Sequence, residues 1–163
     1  MNEKSYGHFY ARLYGLFENE TPLKSDCGAV CGKACCSGDG KTGMLLFPGE
    51  KTSLTVFESE GRRYAVCPGT CNRSERPLSC RIFPFFPVID AEGEVCVTID
   101  PRGAGICPLV RNAPDIAFNT AFLRRVLTAG KALARHEECR NLMIEITEEI
   151  NDTLILSDML EVK

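Results

Sequence analysis

Apolar residues recur at helical spacing toward both ends of this 163-residue chain and break into short runs between prolines in its middle. Tyr6, Phe9, Tyr10, Leu13 and Phe17 stand three or four residues apart, which is one face of a 3.6-residue period. The spacing predicts an amphipathic helix over 3–18, stopped at Thr21-Pro22. Residues 24–43 are mostly Cys, Gly, Lys and small side chains, with little to pack except sulfur. MLLFPGE and RRYAV predict short strands, TSLTVFESE suits a helix or a strand equally, and 67–81 reads as a loop rich in Pro, Gly and Arg. FPFFPVID and EVCVTID predict two strands joined at Ala91-Glu92-Gly93. Pro84 and Pro87 cannot donate ladder hydrogen bonds, so the first of these strands is expected at an edge or irregular. Beyond Cys107-Pro108, Pro114 is a helix-start signal, and Ile116, Phe118, Phe122, Leu123, Val126 and Leu127 supply an apolar face. Gly130 is expected to bend or split this element. A second stretch places Leu133, His136, Cys139, Leu142, Met143, Ile146 and Ile150 on one side and ends at Asn151-Asp152, leaving a short tail over 153–163.

These elements predict an α+β fold in one domain, residues 1–163. Flanking helices over 1–20 and 114–152 close on an irregular, cysteine-rich centre at 27–108 with a small antiparallel sheet. On this reading the centre lacks an ordinary apolar interior, and bound metal supplies its cross-links.

Charge and composition remove several function classes. The formal net charge is -3, so no chain-wide basic field attracts nucleic acid. No apolar run approaches the roughly 20 residues that span a bilayer, and no membrane partner is expected. The first residues, MNEKSYGHFYARLYGLF, have neither the continuous apolar region nor the small-residue cleavage site of an export signal. The expected location is therefore the reducing cytoplasm, where clustered thiols read as metal ligands or redox groups. No Ser/His/Asp set or catalytic carboxylate pair stands out. CCSGDGKT ends like a phosphate-binding loop, but Cys35 occupies the place of its first glycine.

The chain has ten cysteines. Eight are candidate ligands: Cys27, Cys31, Cys35, Cys36, Cys67, Cys71, Cys80 and Cys107. Residues 27, 31 and 35 are each four apart, which on a helix aligns three thiols about 6 Å apart on one face. Cys35 and Cys36 are neighbours whose side chains diverge, so they serve two centres or one of them packs internally. Eight thiolates suit two four-ligand sites; one four-ligand site with spare thiols is the simpler arrangement. Cys139 and Cys96 are expected to pack as small hydrophobes, and neither His8 nor His136 is expected to be a ligand. Four thiolates around a 2+ centre leave negative charge, and Arg76 and Arg81 are the candidates to donate toward sulfur and tune it.

The run Cys27…Cys31…Cys35-Cys36, the later CPGTC and above all RPLSCRIFPFFP resemble the YkgJ-type cysteine-cluster family, described by a CxxCxxCC motif, over residues 27–108. That family's first motif has two-residue gaps where this chain has three. The resemblance implies chelation of zinc or iron by the matching cysteines, with Cys107 in the place of a late family cysteine. Together, residues and resemblance lead to the expectation of an iron–sulfur cluster or iron centre in a redox or accessory role. The alternative is a structural zinc module that binds a protein partner.

Overall fold

The computed structural model describes residues 3–36, 43–69 and 72–161. It is an α+β fold. The aromatic stripe near the start forms helix α1, Glu3–Gly15, and the chain turns before Thr21-Pro22. Tyr10, Leu13 and Phe17 are buried, although Phe17 lies beyond the last helical turn. A one-turn helix, α2 (Cys27–Cys31), and a 3₁₀ turn, Ala34–Cys36, follow.

The first sheet is antiparallel in the order β1 (Gly43–Leu45), β3 (Arg62–Val66), β2 (Val56–Ser59). The segment that suited helix or strand becomes β2. Its turn, Glu60-Gly61, has φ of 52° and 73°. Positive φ at both central residues is the mirror-image turn that matches strand twist, and glycine adopts it without steric cost. Directly opposite one another, Phe57 and Tyr64 stack at 5.2 Å. Such cross-strand aromatic pairs hold register.

Helix α3, Leu78–Ile82, lies where the sequence reads as loop, and it buries Leu78, Ser79 and Ile82. The anticipated hairpin follows as β4 (Phe85–Ile89) paired with β5 (Val95–Ile99). The Ile89 amide leaves the ladder and donates to Thr147 Oγ1 at 3.0 Å. Pro87, two residues earlier, points its nitrogen the same way, so the proline removes no bond to β5.

Two short elements, a 3₁₀ turn at Pro101–Gly105 and α4 (Pro108–Arg111), lead to the long helices α5 (Thr120–Leu133) and α6 (Glu137–Glu161). The sequence places the α5 start at Pro114, but that proline sits in a separate 3₁₀ turn, Ala113–Asp115. Asn119 caps α5 instead, accepting from the Ala121 amide at 3.0 Å, and its own amide donates to Pro22 O at 2.8 Å. A tertiary bond to the segment after α1 therefore sets the start. Gly130 does not split α5, which runs through it to Leu133. A Cβ there would lie 2.5 Å from Pro87 Cβ, so the glycine allows the helix to lie directly on β4. Helix α6 also runs past Asn151-Asp152. Thr153 Oγ1 and Ser157 Oγ bond back to the Glu149 and Thr153 carbonyls, the pattern of hydroxyls accommodated within a helix. Beyond Ile150 it leaves the core, and Leu154, Ile155 and Leu156 are exposed.

One apolar core joins α1, α5, α6 and β4 to Leu45, Phe47, Leu78 and Ile82. Phe17 meets Phe122 edge-on, Phe85 meets Phe118, and Phe47 stacks on Phe86. This corrects the expectation that the 27–108 centre lacks an ordinary interior: the parts carrying Leu45–Phe47 and 78–89 are core. Helix α2 and the turn after it, by contrast, bury nothing of their own. Among the described residues, no helix is long and apolar enough to cross a membrane.

Candidate functional site

A cleft of about 200 Å³ collects six of the eight candidate thiols, those of Cys27, Cys31, Cys35, Cys36, Cys80 and Cys107. They arrive from three separated stretches. Asp26 starts α2 by accepting from the Gly28 amide at 3.1 Å, which sets Cys27 and Cys31 one turn apart. Gly32 ends the turn in the left-handed region, and the Lys33 amide returns to Gly28 O at 3.0 Å. The reversal carries Ala34–Cys36 toward the same cavity. Helix α3 supplies Cys80. Cys107 is placed by its amide bond to Gly103 O, 2.8 Å, just before Pro108 opens α4. Cys107 is buried, Cys35 is exposed, and the other four are half-buried.

Positive side chains share the walls. Arg76 Nη2 donates toward Cys36 Sγ at 3.9 Å. Arg73 bonds Phe17 O and Glu20 O at 3.3 and 2.7 Å, tying the cleft to the end of α1. Arg81 directs Nε to Arg76 O and Nη2 to Ser74 O, each at 2.7 Å, and lies 4.4 Å over the Tyr14 ring. Burial lowers the Arg81 pKa below its ordinary value. Of the two arginines read as tuning residues, Arg76 thus reaches sulfur, while Arg81 braces the backbone that carries Arg76.

Two of the thiols, Cys27 and Cys35, hold their protons more tightly than a free thiol. Burial pushes Cys27 up, and the charges of Asp26, Cys31 and Cys107 add to it while Arg73 opposes. Cys35 is exposed as a residue but lines the cleft, and desolvation there pushes its thiol up, to about 12, with Cys36, Cys80 and Cys31 contributing. Thiolates crowded together need a cation, and metal uptake here would release protons. Among the described residues, no three His, Cys, Asp or Glu side chains are gathered closely enough to hold one metal ion. The donor set still suits a thiophilic centre, with six thiols, no imidazole, and guanidinium groups on the walls. Residues 27–36 bury no side chain, so few contacts oppose their adjustment.

The remaining predicted ligands lie elsewhere. Cys67 follows β3, half-buried, and does not line the cleft. Cys71 and most of CCSGDGKT lie outside the described residues. All nine described cysteines are free thiols. Cys139 is core, with its sulfur 3.8 Å from Tyr10 Oη. Cys96, expected to pack, is exposed and donates to Asp90 Oδ2 at 3.2 Å. Strand alternation explains this, because half-buried Val95 and Val97 pack against the core and Cys96 takes the opposite face. His136 meets Phe9 edge-on at 4.6 Å.

Glu50 escaped the sequence reading. It is fully buried and accepts from Tyr14 Oη and the Leu78 amide at 2.6 Å and from the Phe47 amide at 2.9 Å. Burial raises its pKa, while these bonds oppose the rise. A lone Glu after Pro-Gly reads as a solvated turn; only its three donors, up to 36 residues distant, mark it. Comparison of the chain with protein-family models, with curated proteins and with solved structures returns no match.

Proposed function

We propose that this protein is a cytoplasmic metal-binding cysteine-cluster protein, holding an iron–sulfur or iron centre in a redox or accessory role. The observation that carries this reading is the single cleft gathering Cys27, Cys31, Cys35, Cys36, Cys80 and Cys107 beside Arg73, Arg76 and Arg81. The resemblance of its motifs to the YkgJ-type family supports the same chemistry. Bound iron would supply one-electron transfer or Lewis acidity at the cleft. The chain's part is to offer thiols, balance their negative charge with guanidinium groups, and keep the site half-shielded from water.

The self-sufficient core also supports a functional centre over a fold-holding one. The apolar cluster is closed by α1, α5, α6 and β4 with no cleft sulfur among its members. Zinc as a local structural ion, serving a protein-binding surface, is the second reading. It draws on the fact that 27–36 buries nothing and would gain order from a metal.

Purification without oxygen, followed by elemental analysis and an optical spectrum, separates the two. The expected result is iron with visible absorption, and a chain that stays folded after chelation. Zinc, no colour, and local unfolding on chelation would replace the first reading with the second.

A further inference from the structure

We infer that Glu50 and Tyr14 are positioning residues for the thiol cleft, fixing where Cys80 stands against Cys35 and Cys36. This rests on the metal-binding reading above for its purpose, though not for its geometry.

Helix α3 has no side-chain cap of its own at Pro77. Glu50, reaching in from the turn after β1, takes the role by accepting from the Leu78 amide at 2.6 Å, two residues before Cys80. The same oxygen accepts from Tyr14 Oη at 2.6 Å, and the other accepts from the Phe47 amide at 2.9 Å. The Tyr14 ring then carries the Arg81 guanidinium 4.4 Å from its centroid. Arg81 in turn holds the Arg76 and Ser74 carbonyls at 2.7 Å. One buried carboxylate therefore governs both ends of the 73–82 stretch: the helix bearing Cys80, and the arginine whose Nη2 reaches Cys36 Sγ. Cys80, Cys35 and Cys36 line the same cleft.

An apolar side chain would fill the Glu50 position at lower desolvation cost. What the carboxylate adds is direction, because three donors from α1, the Phe47 turn and α3 must converge on two oxygens. A hydrophobic residue would leave α3 held by its buried Leu78 and Ile82 and by Ser79 Oγ on Leu45 O, without a cap to fix its start, and a shift of about 1 Å there matters to thiols sharing a centre.

The test uses the full chain and two probes. Dibromobimane, a bifunctional thiol reagent, bridges neighbouring thiols in the metal-free protein, and peptide mass spectrometry maps the bridged pairs. Cobalt(II) reports thiolate ligation through charge-transfer absorption. Glu50→Gln replaces one acceptor oxygen with a donor, Tyr14→Phe keeps the ring but removes the hydroxyl, and Leu133→Ala destabilises the core away from the cleft. The expected result is several-fold less bridging of Cys80 to Cys35 or Cys36 in Glu50→Gln, a smaller loss in Tyr14→Phe, and no change in Leu133→Ala. Cobalt affinity should fall about tenfold or more in Glu50→Gln. If Glu50→Gln does not fold, Tyr14→Phe alone decides. Unchanged bridging in the folded variants would overturn the positioning role, whatever their stability. Intact bridging behaviour with no cobalt charge-transfer band in the unsubstituted protein would leave the positioning role standing and overturn the metal reading.

Discussion

The two sides of this molecule are ordered by different forces. On one, α1, α5, α6 and the β4–β5 hairpin bury Phe17, Phe122, Val126, Leu133, Met143 and Ile146 almost completely. There, position follows from area removed from water and from close packing. On the other, α2 and the turn after it bury nothing, and the thiols around the cleft are mostly half-buried. Position there follows from caps, left-handed turns and charge-bearing contacts: Asp26 on α2, Gly32 at its end, Glu50 on α3, Arg73 and Arg81 on backbone carbonyls. The first kind of order is non-directional and indifferent to ligands. The second is directional, and a bound cation can change it.

Phe122→Ala should give the largest effect. Its ring meets both Phe17 and Phe85 and is fully buried, so truncation should cost about 3–5 kcal/mol. Urea unfolding of the metal-free chain measures it, and a loss below about 1 kcal/mol would mean that the core side is not what holds the fold.

A smaller effect, visible only at alkaline pH, should come from Cys139. Burial pushes this thiol up to about 11, above the ordinary unfolded value of about 8.5. The native state then holds the proton that the unfolded state releases, so this contribution is intact below pH 8.5 and is lost as pH rises toward 11. Stability against pH should slope less steeply in Cys139→Ala across that window, and equal slopes would contradict the shift.

The smallest change in stability should be that of Cys35→Ser, within about 0.5 kcal/mol in the metal-free protein, since the residue is exposed. The same variant should lower metal binding measured by elemental analysis. A large loss of metal-free stability would show that the cleft side shares the structural burden.

The core side was the more legible in sequence. The α1 stripe, the β4–β5 hairpin and the α5 and α6 apolar faces follow from periodicity, which is local information. Three of the misreadings have tertiary causes. The α5 start moved to Thr120 because the Asn119 amide bonds Pro22 O; Gly130 stayed helical because Pro87 lies against it; and α3 forms where a carboxylate 28 residues earlier in the chain caps it. Cys96 turned outward because its strand face points to solvent.

By itself, the sequence established the abundance of thiols, the α+β class and the apolar faces of the flanking helices, because composition and short-range spacing carry those. It could not establish that Cys27 and Cys107 line one cleft while Cys67 stays outside it, or that Glu50 would lie beneath α3. Residues so far apart along the chain meet only after the core has closed and set the directions from which each thiol approaches.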